Sequence, residues 1–332
     1  CHSFSKIINN NSDTYKKLCN TNTNHLKKMK RKLPCLVTTI LALLLPKVFA
    51  LSAAACGAHR KISLNELLST CIDAARRGCN EIREVERKRQ QGGSLSVEFK
   101  DVRDPKSALT EADGRAQAAI VRALRSEWGD NLVIIGEEDD EELQSAEESC
   151  TTSLRRDLCL DLADCDLEIP LHSVRIFVDP VDGTREFVEG RLENCQALVG
   201  IAVDGVATAG VLGIPFPKGT LETESSLVFG QVNAGYGFLG TPLPVRQADV
   251  SRPVLATGDA TKSVMVSARK IIAEELGGTN LLFGGAGNKI LATALGHVDC
   301  TIQHKYGGPW DTCAPEAILR AMGGTLTDLN GD

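Results

Sequence analysis

From Leu64 onward the apolar residues fall at positions 64, 67, 68, 71, 75, 82 and 85, the spacing of one face of a long helix. Ser63-Leu-Asn-Glu66 opens it with a capping-box pattern, and Gln91-Gly92-Gly93 closes it. A second helix is announced by Thr110-Glu-Ala-Asp113 and carried by Ala116, Ile120, Val121 and Leu124. The pattern then changes. NLVIIG (131–136) and SVRIFV (173–178) are short apolar runs that predict buried strands, and residues 196–215 predict a hairpin turning at Asp204-Gly205. Glycine-punctuated strands continue to about 239. After a proline-containing stretch (242–253) the pattern predicts helices over 262–276 and 287–296, a strand at 298–303, and a helix from about Thr312. The fold class is therefore α/β, with an α+β portion over 57–240 packed on a smaller α/β portion over 241–332, and no internal repeats. The chain stops at Gly331-Asp332 on a turn-like pair, so the second portion reads as truncated.

Residues 1–56 are set apart from this fold. Met29 begins MKRKLPCLVTTILALLLPKVFA, a basic start, an apolar stretch and a Val48-Phe49-Ala50 end, the plan of a signal peptide cleaved near Ala50. This points to a secretory lumen or an organelle, with the cytoplasm as the alternative if the leader is artefactual. The apolar stretch falls short of the ~20 residues of a spanning helix, so membrane contact is expected only through an uncleaved leader. Charge is unevenly divided. Residues 1–50 hold nine Lys/Arg against one Asp, +8, which leaves −14 on the rest of a chain whose total is −6. A body this acidic repels polyanions, and aromatics at 4% give little surface for stacking bases, so a nucleic-acid polymer is not the expected partner. Residues 137–168 concentrate the charge, with thirteen acidic residues against two arginines, and read mainly as a solvated connection. Of the twelve cysteines, three (Cys1, Cys19 and Cys35) precede the expected cleavage near Ala50, and none of the rest forms a CxxC pair, so zinc is not expected. Cys150, Cys159 and Cys165 could pair in a secreted protein or stay free.

Several carboxylates stand where an element begins or ends: Asp113, Glu137, Asp179, Asp182 and Asp311. Each has an ordinary alternative. Asp113 completes a capping-box variant, and Asp182 and Asp311 could be plain N-caps. Asp179 fits such a role least, because it ends an apolar strand, precedes Pro180 and lies near Asp182. Clustered carboxylates without matching cations stay ionised together only when a divalent ion neutralises them, and all-oxygen donors suit Mg²⁺. In Asp179-Pro-Val-Asp182-Gly-Thr the two aspartates stand one residue further apart than in the D-x-D-G-T motif of phosphoaspartyl enzymes, which disfavours a phosphoenzyme.

IIGEED (134–139), VDPVDGTREFVEG (178–190) and WDTCAPEAILRAMGG (310–324) resemble, in order and separation, the three signature blocks of the lithium-sensitive inositol monophosphatase superfamily. DGTREF, GGAGNK (284–289) and WDTCAPEAIL most resemble its 3′(2′),5′-bisphosphate nucleotidase branch. The resemblance covers roughly 63–332 and implies a layered αβαβα sandwich and removal of the 3′-phosphate of 3′-phosphoadenosine 5′-phosphate to give AMP. It implies two or three Mg²⁺ ions, with Glu137, Asp179 and the Val181 carbonyl on the first and Asp179, Asp182 and Asp311 on the second. Asp113 and Thr184 would activate the attacking water, with Asp113 also near a third ion. Gly183 and Thr184 would present amides to phosphate, Gly285 would let the backbone approach the nucleotide, and Lys289 would meet a second phosphate. An inositol phosphate is the alternative substrate, and a silent cation-binding module the alternative class. The chain departs from the branch at ATGDATKS (256–263), where a Ser-Arg-Ser-His-like stretch is usual. Oligomeric state is not legible.

Overall fold

The computed structural model describes residues 60–99, 108–138, 153–159, 162, 166–246, 252–261, 263–303, 307–328 and 331. The expected leader lies outside them, as do Cys150 and Cys165. After a short strand β1 (Lys61–Ser63), helix α1 (Leu64–Gln90) begins where its cap was expected, the Ser63 hydroxyl accepting the Glu66 N–H at 2.9 Å. The small antiparallel pair β2 (Val97–Phe99) and β3 (Ala108–Thr110) leads into α2 (Glu111–Trp128). The Thr110 hydroxyl accepts from Ala112 N and the Asp113 carboxylate accepts from Thr110 N at 2.8 Å, a reciprocal cap.

Strand β4 (Val133–Gly136) starts the main sheet, β5 (Glu168–Pro170) returns to pair with β1, and β6 (Val174–Asp182) lies parallel to β4. A one-turn helix α3 (Thr184–Val188) follows, then β7 (Gln196–Val203), β8 (Val206–Ile214), β9 (Ser226–Gln231) and β10 (Gly235–Gly240). The sheet order is β10-β9-β8-β7-β6-β4, antiparallel except for β4–β6. The β7–β8 turn takes φ of 50° at Asp204 and 81° at Gly205, the left-handed pair that a two-residue hairpin requires. Alternation along β7 divides the core. Val199 and Ile201 join Ile72, Ala75 and Ile120 beneath α1 and α2, whereas Leu198 packs on the other face.

The C-terminal part adds β11 (Val254–Thr257), α4 (Ser263–Lys270), β12 (Thr279–Leu282), α5 (Ala286–Ala294), β13 (Cys300–Ile302) and α6 (Pro309–Ala321). The three strands form a parallel sheet ordered β12-β11-β13. Stepping to β12 through α4 and back past β11 through α5 runs in opposite directions. Right-handed crossovers therefore put the two helices on opposite faces. Ala292 of α5 packs on Ala256, and Leu291 joins Ala314, Ile318 and Leu198 against the main sheet. The layers thus run α-β-α-β-α. β11 and β12, each only four residues long, fall on either side of 262–276 in stretches where the sequence predicted no element, and α4 ends in a wider helical turn, Ile271–Glu275. Lys61–Leu326 form one compact unit. Among the described residues no helix is long and apolar enough to cross a membrane, and Cys159 is a buried free thiol whose Sγ–H donates to the Asn65 carbonyl.

Candidate metal and phosphate site

The site grows from the end of β6. In a regular strand, residues three apart point to opposite faces. The β6–β7 pairing keeps register to Asp179 opposite Leu198 and resumes at Asp182 opposite Gln196, with a bulge between. Pro180, which has no N–H to donate, sits inside that bulge. The irregularity brings Asp179 and Asp182 to one side, where each offers an oxygen within 4.8 Å of the other and of one from Asp311.

Asp311 comes from the first turn of α6, where its carboxylate accepts the Gly308 N–H at 2.6 Å. It is the third residue of that helix and not its N-cap, because Pro309 supplies the first position. The helix can approach the sheet because it crosses glycines. A Cβ on Gly200 would stand 2.7 Å from the Ala314 nitrogen, and one on Gly210 would stand 2.6 Å from the Ala314 Cα. Glu137 follows β4, its N–H donating to the Val178 carbonyl at 3.0 Å, and its carboxyl reaches hydrogen-bonding range of Asp179.

Four carboxylates therefore converge, two of them almost fully buried. Burial first, then the charges of Glu137, Asp182 and Asp311, hold Asp179 well above the usual carboxylate range. Burial also raises Asp182, offset by Lys289 and by backbone N–H groups of α5. Asp179 Oδ1 is buried without a hydrogen-bond partner, which in a protein interior costs free energy unless something fills its lone pairs. An all-oxygen, net-negative donor set around an orphaned carboxylate oxygen fits a divalent cation such as Mg²⁺.

Beside this cluster lies Asp113, almost fully buried. The Thr110 N–H and hydroxyl donate to its Oδ2 at 2.8 and 2.6 Å, while the Thr184 hydroxyl reaches its Oδ1 at 3.0 Å. That hydroxyl also lies 2.9 Å from the Val181 carbonyl, so its one proton is shared between two acceptors. Burial lifts the Asp113 pKa to about 6, against the lowering effect of its hydrogen bonds to Thr110 and Thr184. The cap and the catalytic candidate are one residue, with Oδ2 serving the helix and Oδ1 facing Thr184. Gly183, with φ of 90°, makes the left-handed turn between β6 and α3; a Cβ there would stand 2.7 Å from the Asn194 carbonyl oxygen.

The glycine-rich stretch meets the same cluster. Gly285, at φ of 73°, precedes α5, and Ala286 N and Gly287 N donate to the two oxygens of Asp182 at 2.8 and 2.7 Å. Asp182 therefore caps α5 across the chain and does not cap α3. Lys289 is buried, and its ammonium turns back to the Gly285 carbonyl on the Asp182 side of the helix. The sequence reading missed Gln117. Its side chain clamps Glu138 in both directions, Nε2 to the carbonyl at 2.7 Å and Oε1 from the N–H at 3.1 Å, and so fixes the turn that carries Glu137. The available signal was its position four residues after Asp113, on the same helix face.

Residues 63–332 match the inositol monophosphatase family. The chain belongs to that family. Among its relatives, the 3′(2′),5′-bisphosphate nucleotidase 1 of Dictyostelium discoideum is 32% identical over 287 residues, covering 82% of this chain and 88% of the relative. The human 3′(2′),5′-bisphosphate nucleotidase 1 is 34% identical over 235 residues, covering 67% and 72%. The crystal structure of CysQ from Bacteroides thetaiotaomicron, a bacterial member of the family, superposes with a TM-score of 0.55 at 20% identity. It covers 78% of this chain and 88% of its own, and it shares the fold of this inositol monophosphatase family member.

Proposed function

We propose that this protein is a Mg²⁺-dependent phosphomonoesterase that removes the 3′-phosphate of 3′-phosphoadenosine 5′-phosphate, releasing AMP, and that lithium inhibits it. The carrying observation is the juxtaposition of the Asp179, Asp182 and Asp311 carboxylates with the Asp113–Thr184 hydrogen bond. The identity of about a third to curated bisphosphate nucleotidases supports the choice of substrate.

Glu137, Asp179, the Val181 carbonyl, Asp182 and Asp311 would hold two ions. When bound, such ions lower the pKa of water and offset the charge that develops on phosphate oxygens. The protein's own part is positional. With Oδ2 occupied by Thr110, Asp113 offers only Oδ1 to Thr184, which leaves Oδ1 and the Val181 carbonyl as the two acceptors of the hydroxyl proton. The Thr184 oxygen can then accept a hydrogen bond from the attacking water and pass a proton toward Asp113. A pKa of about 6 suits a group that must be ionised yet still basic near neutral pH. The acidic wall repels an unneutralised phosphate, so turnover should be strictly cation-dependent.

The test is phosphate release from a panel of bisphosphate nucleotides and inositol phosphates, with Mg²⁺ and after chelation. Release from 3′-phosphoadenosine 5′-phosphate, abolished by chelation, supports the reading. Turnover of inositol monophosphate alone moves the protein to the sibling activity, and no turnover of any substrate overturns the enzyme assignment.

A further inference from the structure

Two glycines at positive φ mark the turns on which the site depends. Gly183 precedes α3, whose first residue is Thr184, and Gly285 precedes α5, whose first N–H groups meet Asp182. Neither helix has a side-chain cap of its own. One residue touches both turns. Asn194 ends the short turn Leu192–Asn194 that leads into β7. A Cβ on Gly183 would stand 2.7 Å from its carbonyl oxygen, and a Cβ on Gly285 would stand 3.3 Å from the same atom. The Asn194 side chain reaches further along α5, where its Oδ1 accepts from Asn288 Nδ2 at 2.8 Å. The same Nδ2 also donates to the Gly284 carbonyl at 3.3 Å. One amide group thus fastens α5 to the neighbouring turn and to the stretch that precedes the helix.

Asn288 is the third residue of α5. Ala286 N donates to Asp182 Oδ1 and Gly287 N to Oδ2, and the Asn288 N–H adds a third contact to the same carboxylate. A carboxylate has about four lone-pair sites, so three donors leave about one for a cation. The orientation of the helix start therefore sets the direction of the site that remains. First-turn N–H groups have no partner within their own helix, so something outside it must hold them in place. Asp182 by itself does not fix them, because the same carboxylate also faces Asp179 and Asp311. The Asn288–Asn194 bond is an independent tether. It ties the first turn of α5 to the start of β7, two residues before Gln196, the residue paired with Asp182 in the sheet.

We propose that Asn288 is a positioning residue of the metal site. Its side chain, fastened to Asn194, holds three successive N–H groups on Asp182 and so aims the remaining lone pair of that carboxylate at the cation shared with Asp179 and Asp311. This deepens the function proposed above and rests on it. Asn288 acts through Asp182 and is not itself a ligand, and the Asn194 side chain supplies only the acceptor.

The experiment is a calorimetric Mg²⁺ titration, without substrate, of the wild type, Asn288→Ala, Asn194→Ala and the double variant. Alanine is the better helix former, so the substitution at 288 does not weaken the helix itself. Each single variant should bind Mg²⁺ about tenfold more weakly, the scale of a contact that orients a ligand. The double variant should be no weaker than the weaker single, because the two side chains act as one bond. Hydrogen exchange followed by NMR in chelator should show the Ala286 and Gly287 amides exchanging roughly fivefold faster in either single variant, the scale of one lost hydrogen bond. At saturating Mg²⁺ kcat should fall far less than the affinity does. A pair with a merely structural role would lower the metal-free Tm and leave the Mg²⁺ affinity where it was. Unchanged affinity in Asn288→Ala, single losses that add in the double variant, or unchanged exchange at Ala286 and Gly287 overturns the inference while the nucleotidase reading stands. If the wild type binds no Mg²⁺, both fall together.

Discussion

Asp179→Asn separates the cost of the carboxylate cluster from its use. In the metal-free protein Asp179 is buried, with like charges of Asp182 and Asp311 no further than 4.8 Å away. At an effective dielectric constant of ~20, each fully ionised neighbour at that distance repels by about 3.5 kcal/mol. Proton uptake by the cluster and solvent at its open side cap the relief, so about 1–3 kcal/mol of stabilisation is expected from the neutral, isosteric side chain. For a unit of this size that corresponds to a rise in Tm of roughly 3–10 °C. Mg²⁺ offsets this advantage. The wild type should gain about 2.7 kcal/mol at a hundredfold excess over Kd, and the variant should gain almost none of it. Turnover should fall by roughly 10³-fold or more, because the ions stabilise the transition state by several kcal/mol. Thermal unfolding followed by circular dichroism, with and without chelator and over a Mg²⁺ titration, reads the two stability effects, and phosphate release reads the turnover. A metal-free variant less stable than the metal-free wild type, or one that keeps its Mg²⁺-dependent shift, would refute the reasoning.

Two further predictions follow from the same geometry, and a third from the N-terminal sequence. The chelated protein should become more stable as pH falls from 7.5 to 5. Asp113 has its folded pKa raised from 3.8 to about 6, so the folded state takes up the proton first and the burial penalty fades as pH drops through that value. The gain is about 1.4 kcal/mol from this residue by pH 5, and saturating Mg²⁺ should flatten or invert the trend; a Tm that falls with pH in chelator contradicts it. Gln117→Ala, which frees the Glu138 backbone, should weaken the apparent Mg²⁺ affinity about tenfold, the usual scale for a supporting contact, with kcat at saturating Mg²⁺ changed far less; calorimetric titration measures it, and an unchanged affinity rejects the clamp. A fluorescent fusion of residues 29–60 should leave the cytosol for a lumen or an organelle, and diffuse fluorescence would reject the leader.

Much of the site could be read from the chain because its residues cluster locally. The spacing in Asp179-Pro-Val-Asp182-Gly-Thr, the cap at Thr110–Asp113 and the helix start near Asp311 are all short-range patterns. Helix α1 follows from its periodicity, and the β7–β8 turn from Asp204-Gly205. Four-residue strands such as β11 are harder to see, since so few positions cannot distinguish period 2 from period 3.6. Gln117 escaped notice because a glutamine on a helix is unremarkable until its partner, the turn at Glu138, is brought beside it from 21 residues away.

Sequence alone determined which residue types stand at the element ends and which family plan they follow, since caps, turns and periodicity are fixed by neighbours along the chain. Only the tertiary structure decided which atoms meet. It took the β6 bulge to turn Asp179 and Asp182 to one side, the glycine path of β7 and β8 to seat α6 and bring Asp311 in, and the crossover to α5 to place backbone N–H groups on Asp182. It also buried Lys289 and set Arg185 against Asp259, 74 residues away. The physical reason is that burial and pairing of charge depend on which faces pack together, and a one-dimensional pattern does not contain that information until the layers close.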